Sequence, residues 1–136
     1  MLDISYDPKT INVIIDGKEY KVADRTDETN AELEAHDAKL ESMSQYEANY
    51  SIVEILLGKD AAKKVFPGGK KENLTRMYVI AKRLLEAYQA EYEEIKEAEY
   101  EEAMSRMDKM AERSKPVIEI IDKANAQKKT GNIRKR

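Results

Sequence analysis

LTRMYVIAKRLLEAYQAEYEEIKEAEYEEAMSRMDKMAERS, residues 74–114, is the stretch whose reading decides the fold of this chain. Leu74, Met77, Ala81, Leu84, Tyr88, Tyr92 and Ile95 recur at intervals of three and four, the spacing of one helix face. No Pro or Gly interrupts the run between Leu74 and Arg113. A helix of about forty residues reaches roughly 60 Å, longer than a compact domain of this size is wide. Its character changes along the way. Through Leu85 it is apolar enough to be buried; Glu91–Glu102 is a carboxylate run broken by Tyr92, Ile95, Ala98 and Tyr100; beyond it lie the soft side chains of Met104, Met107 and Met110.

Immediately upstream, Phe66-Pro67-Gly68-Gly69 makes a sharp reversal, with the only Phe of the chain placed to anchor it, and Asn73 or a neighbour caps the long helix. The helix therefore runs back against Tyr50–Leu57, whose apolar residues surround their own helix and should be its most buried part. Gly58 stops that segment, and Asp60–Val65 adds a further turn or two. Thr26-Asp27-Glu28-Thr29 starts the preceding helical stretch with a capping hydroxyl and first-turn carboxylates. Ser42 and Ser44 weaken its middle, so one bent helix or two consecutive helices both fit.

At the other end of the chain, Ile11, Val13 and Ile15 alternate, Asp16-Gly17 intervenes, and Tyr20 and Val22 resume the alternation. Asp-Gly supplies the positive φ angles of a two-residue type I′ turn, which predicts a β-hairpin pairing Ile15 with Lys18, Val13 with Tyr20 and Ile11 with Val22. A lone hairpin is marginal in water, so its apolar face must pack on a helix. Leu2, Ile4 and Tyr6 alternate as well and precede the turn-like Asp7-Pro8-Lys9-Thr10, which allows a third short strand. Downstream of the long helix, Pro116 breaks or kinks it, Val117–Ala124 makes a short helix, and the last nine residues form a basic tail.

The expected architecture is mainly α: an N-terminal β-hairpin packed on a helical core, with a long C-terminal helix extending from it. The hairpin region covers 1–25, and the helical core with the long helix covers 26–114 in the same domain. A short helix and basic flexible tail cover 115–136. A length of 136 residues fits one such domain. Charged residues at 38% and aromatics at 7% suit long solvated helices better than a compact globule. The net charge of −3 conceals blocks: −8 over residues 1–58, +6 over 59–83, −6 over 91–102 and +6 over 103–136. Such blocks favour self-association or in-register docking over one uniformly charged partner. The chain has no cysteine, no signal-peptide pattern and no apolar run of the roughly 20 residues that span a membrane, so a soluble intracellular protein is expected.

Catalytic and metal chemistry find little footing. His36 is the only histidine, and its place beside Leu33 and Leu40 reads as a packed core residue. Gly68-Gly69-Lys70-Lys71 lacks the spacing of a phosphate loop, and the glutamates of 91–102 lie on a continuous helix without a calcium-binding loop. Five basic residues in the tail, without interleaved aromatics, point only weakly to nucleic acid. No catalytic residue, metal ligand or cofactor is expected. The candidate site is instead a partner-binding set of Tyr88, Tyr92, Ile95, Met104, Met107 and Met110. Within it, Tyr88 and Tyr92 serve either as core seam or as partner anchor.

Three segments, in order, carry a likeness: Ile11-Asn12-Val13-Ile14-Ile15-Asp16-Gly17-Lys18-Glu19-Tyr20, then Ile55-Leu56-Leu57-Gly58-Lys59-Asp60-Ala61-Ala62-Lys63-Lys64-Val65-Phe66-Pro67-Gly68-Gly69, then Asn73-Leu74-Thr75-Arg76-Met77-Tyr78-Val79-Ile80. Over about residues 10–95 the chain resembles the tail assembly chaperones of long-tailed bacteriophages of Gram-positive hosts. That resemblance implies a non-enzymatic helper in the host cytoplasm, absent from the mature virion. It would bind the tape measure protein and keep it soluble while the tail tube polymerises, with the tail tube protein and self-association as further contacts. A helical coiled-coil adaptor or scaffold is the alternative reading, and a small nucleic-acid-binding regulator a more distant one. The resemblance also implies a longer product made by ribosomal frameshifting. Lys128-Lys129 is a pair that an A-rich slippery heptamer can encode. The gene is expected to carry such a heptamer there, with an overlapping frame leading toward a very long coiled-coil gene; sequencing the locus and finding neither would remove the phage assignment.

Overall fold

The structure is a computed structural model; it describes the backbone of residues 1–132 and the side-chain surroundings of residues 1–112. It is mainly helical with an N-terminal hairpin: β1 (Asn12–Ile15) and β2 (Lys18–Lys21), then α1 (Asp27–Ala38), α2 (Gln45–Leu57), α3 (Lys59–Val65) and α4 (Leu74–Asn132). Short 3₁₀ turns at Leu40–Ser42 and Gly69–Lys71 link α1 to α2 and α3 to α4. The chain divides into two compact units, Met1–Glu93 and the residues from Glu94 onward.

Within the first unit, local chemistry sets each boundary. Asp16 and Gly17 both take positive φ, 50° and 78°, as the type I′ turn requires, and the pairing is Ile15 with Lys18 and Val13 with Tyr20. The Val22 amide donates to the Ile11 carbonyl at 2.8 Å, extending the same register. The Thr26 hydroxyl accepts from the Thr29 amide at the start of α1, and the Ser44 hydroxyl accepts from the Glu47 amide at 3.1 Å at the start of α2. Ser44 is thus the reason for two helices instead of one bent one: its short side chain caps a new N-terminus. Gly58, with φ of 96°, ends α2 and leads straight into α3. The Asn73 side-chain oxygen accepts from the Arg76 amide at 3.0 Å and opens α4.

These elements close on one face of α4. Met77, Ala81, Leu84 and Tyr88 are buried there together with Val22 of the hairpin end, Val53 and Leu56 of α2, Ala62 and Val65 of α3, and Phe66. The Ala23 amide donates to the Leu56 carbonyl at 2.8 Å, joining the hairpin's exit to the last turn of α2. Arg76 then clasps three elements: it donates to Asp16 in the hairpin turn, to the Val65 carbonyl at 3.2 Å and to Glu72 at 3.3 Å. Its guanidinium also sits 5.6 Å from the centre of the Phe66 ring.

Two expectations are corrected. Residues 1–11 form neither strand nor turn, and Leu2, Ile4 and Tyr6 are exposed. The Lys9 amide donates to Glu91 at 2.9 Å, and no strand pairing joins residues 2–6 to β1. Helix α4 is assigned across Pro116 to Asn132, where a break or kink was expected. A proline deletes one ladder hydrogen bond and bends a helix without necessarily ending it. The segment expected as a separate short helix and the first residues of the basic tail are therefore part of α4; side chains from residue 113, and residues 133–136 altogether, lie outside the described residues.

Phe66 is 2% exposed and shares a tilted ring contact with Tyr50, centroids 6.2 Å apart. Phe66→Ala is expected to lower unfolding stability by about 3–5 kcal/mol as a core truncation that also removes the ring beneath Arg76; urea denaturation with an unshifted midpoint would contradict this.

Candidate functional site

Helix α4 carries every residue of the candidate partner-binding set, and the structure sorts them by depth. Tyr88 is 2% exposed and completes the buried series Met77, Ala81, Leu84. Its hydroxyl donates to the Asn30 side-chain oxygen of α1 at 2.7 Å. Tyr88 is therefore a core residue and not a partner anchor. The four-residue step from Leu84 keeps it on the packed face, and Asn30 gives its hydroxyl the partner that burial demands. Tyr92, one turn on, is 39% exposed, and the Arg25 guanidinium stacks 3.7 Å from its ring centre. That contact is a cation–π interaction on one face of the ring.

In the second unit, Ile95, Met104, Met107 and Met110 are all exposed, the last two at 64% and 66%. Tyr100, absent from the candidate set, is equally open at 65%. At about 100° per residue, Tyr100, Met104 and Met107 fall within about 60° of one another, and Met110 and Ile95 extend the band to about half of the helix circumference. Lys96, Glu99 and Arg106 fall within the same arc, Glu94, Glu97, Glu101, Asp108 and Glu112 lie outside it, and Glu102 is bonded by Arg106 one turn away. The arrangement is an apolar, polarizable surface kept in water by flanking charge. It offers contact area rather than reactive groups.

The first unit holds a second surface that the sequence reading missed. A groove of about 520 Å³ lies between β1 and α4, lined by Val13, Ile14, Ile15 and Asp16 on one side and by Arg76, Val79, Ile80, Arg83 and Leu84 on the other. Ile14 is 76% exposed beside it. The signal was present in the run Val13-Ile14-Ile15. Successive strand residues point to opposite faces, so three apolar neighbours cannot all enter one core. Arg83 has no ion pair among the described residues, whereas Arg76 is committed to Asp16 and Glu72.

His36 is buried, and its Nε2 donates to the Ala48 carbonyl at 2.9 Å, tying α1 to α2. Its Nδ1 makes no hydrogen bond, and the nearest carboxylate oxygen, on Asp37, is 3.6 Å away. Among the described residues, no group of three or more His, Asp or Glu is placed to hold a metal ion, and no helix is long and apolar enough to cross a membrane.

Burial pushes the Tyr88 hydroxyl above its ordinary pKa, against the opposing pull of Arg25 and of the hydrogen bond at Thr26. Burial likewise raises Tyr50, with Tyr46 and Glu54 adding to the shift. A raised folded-state pKa gives stability that is fully present below the unfolded value of 10.0 and is lost as pH climbs through the folded one. Tyr88→Phe is expected to cost about 0.5–1.5 kcal/mol at neutral pH through the lost hydrogen bond, and to flatten the stability loss above pH 10. Urea midpoints at neutral and alkaline pH check both, and an unchanged alkaline slope would contradict the second. Comparison with protein-family models, with curated protein sequences and with solved structures finds no match to this chain.

Proposed function

We propose that this chain is a non-enzymatic tail assembly chaperone of a long-tailed bacteriophage, holding the tape measure protein soluble in the host cytoplasm until the tail tube forms around it. The observation that carries the reading is the exposed band of Ile95, Tyr100, Met104, Met107 and Met110 on a helix otherwise rich in carboxylates. Apolar groups contiguous on a surface mark a site that a partner covers. Methionine is the residue suited to a long client of varied sequence, because its unbranched, polarizable side chain repacks against different partners at little cost. Holding needs no cofactor and no reaction. A protein that binds the unassembled client and not the assembled tail is displaced by polymerisation itself, through mass action. The sequence likeness over about residues 10–95 supports the same reading from the other half of the molecule.

A helical coiled-coil adaptor has one observation in its favour, since Tyr100, Met104, Met107 and Ala111 repeat at the four–three–four spacing of a helix seam. The two readings part on the client. Co-expressed with a tape measure protein encoded at the same locus, the chain is expected to keep it in the soluble fraction and to co-purify with it. Met104→Asp combined with Met107→Asp should lower that binding at least tenfold, while circular dichroism stays unchanged because both side chains are exposed. A client that is insoluble with the unmodified chain, or equally soluble with the double variant, would overturn the proposal.

A further inference from the structure

The groove beside β1 has the form of a vacant strand position. Three consecutive residues of β1, Val13–Ile15, line it together with Asp16 of the turn, and no residue of β2 does. Alternate side chains of a strand point to opposite faces, so a cavity touched by consecutive residues runs along the strand's outer edge. That edge is open: the only sheet among the described residues is the pair β1–β2. Pairing of Ile15 with Lys18 and Val13 with Tyr20 directs the hydrogen-bonding groups of those residues toward β2, and those of Asn12 and Ile14 outward. The facing wall of α4 from Thr75 to Leu84 is about 14 Å long, and a five-residue strand spans about 16 Å.

A segment matching this slot lies elsewhere on the chain. Leu2, Ile4 and Tyr6 alternate, and Leu2 and Ile4 are 85% and 86% exposed. Laid antiparallel to β1 with Ile4 opposite Val13, the segment places Leu2 beside Ile15 and Tyr6 beside Ile11. All three then share the hairpin's core-facing side, whereas a shift by one residue would turn all three to water. The segment does not reach its own groove. No pairing joins residues 2–6 to β1, residues 1–11 contain no turn, and the Lys9 amide is held by Glu91.

We propose that residues 2–6 add as a third strand to β1 of a second copy, reciprocally, so that two chains form a dimer with two-fold symmetry. The proposal stands apart from the chaperone reading, since it uses neither the methionine band nor any client.

The chain's lack of cysteine makes the test direct. Ile4→Cys and Val13→Cys are prepared as separate full-length variants, mixed, and oxidised gently. Ile4 and Val13 would form a non-hydrogen-bonded antiparallel pair, whose Cα separation of about 4.5 Å lies within disulfide range. The expected result is a disulfide-linked heterodimer from the mixture, well above the dimer that either variant yields alone. No heterodimer would overturn the proposal, and so would a cross-linked monomer from the chain carrying both substitutions at low concentration, which would place the strand in its own groove. A second measurement is free of any folding defect at Val13. Light-scattering mass is expected to be dimeric for the unmodified chain and monomeric for Leu2→Asp combined with Ile4→Asp, which alters only exposed positions. A monomeric unmodified chain, or a dimer that the double substitution leaves intact, would overturn the proposal.

Discussion

Everything in the first unit depends on one stripe of α4, the face made by Met77, Ala81, Leu84 and Tyr88. A two-stranded hairpin and helices of 12, 13 and 7 residues do not bury enough apolar surface to stand alone. Each supplies one or a few side chains to that stripe: Val22 from the hairpin end, Val53 and Leu56 from α2, Ala62 and Val65 from α3. Burial of this kind stabilises by roughly 25 cal/mol per Å² of apolar surface removed from water, which is non-directional and cannot set where each element lies. Placement comes from polar contacts at the margin. Arg76 ties the hairpin turn to the end of α3, the Ala23 amide ties the hairpin's exit to α2, His36 ties α1 to α2, and Tyr88 reaches Asn30 of α1.

The same stripe explains why the candidate site divides. As long as α4 has hairpin and helices to cover it, its apolar residues are core, and Tyr88 is the last of them. Beyond that point the apolar positions thin out and carboxylates take the intervening sites, so Ile95, Tyr100 and the methionines are left at the surface. Exposure of this kind serves association, and the groove at β1 serves it by another route. The helix band offers side-chain area to an adaptable partner; the strand edge offers directional backbone hydrogen bonds to a segment of defined register. The two surfaces use different physics, so the two proposals, a client on the helix band and a second copy at the strand edge, do not compete for a single site.

Much of this was legible in the residues. The Asp16-Gly17 turn, the hairpin register, the Thr26 cap, the stop at Gly58, the reversal after Phe66 and the start of α4 all follow from chemistry within a few positions of each site. The type of each element and its packed face follow likewise, because period and turn chemistry are local properties. Tyr88 and Tyr92 lie on the same face one turn apart, and no local signal separates a buried tyrosine from an exposed one. Only the folded chain shows that Asn30 meets Tyr88 and that Arg25 covers Tyr92. The role of Arg76 was equally invisible: an arginine on a helix is ambiguous until its partners are placed.

What the sequence determined by itself is therefore the list of elements, their ends and the apolar face of each. Those are set by backbone sterics, capping and periodicity within a turn or two of chain. What only the tertiary structure decided is which apolar residues are covered and which edge is open. The alternation of Leu2, Ile4 and Tyr6 says that a strand is available; only the folded chain shows that it does not pair with β1 and that the Lys9 amide meets Glu91, 82 residues away. Burial and edge exposure depend on contacts between residues far apart in sequence, and no pattern local to either partner contains them.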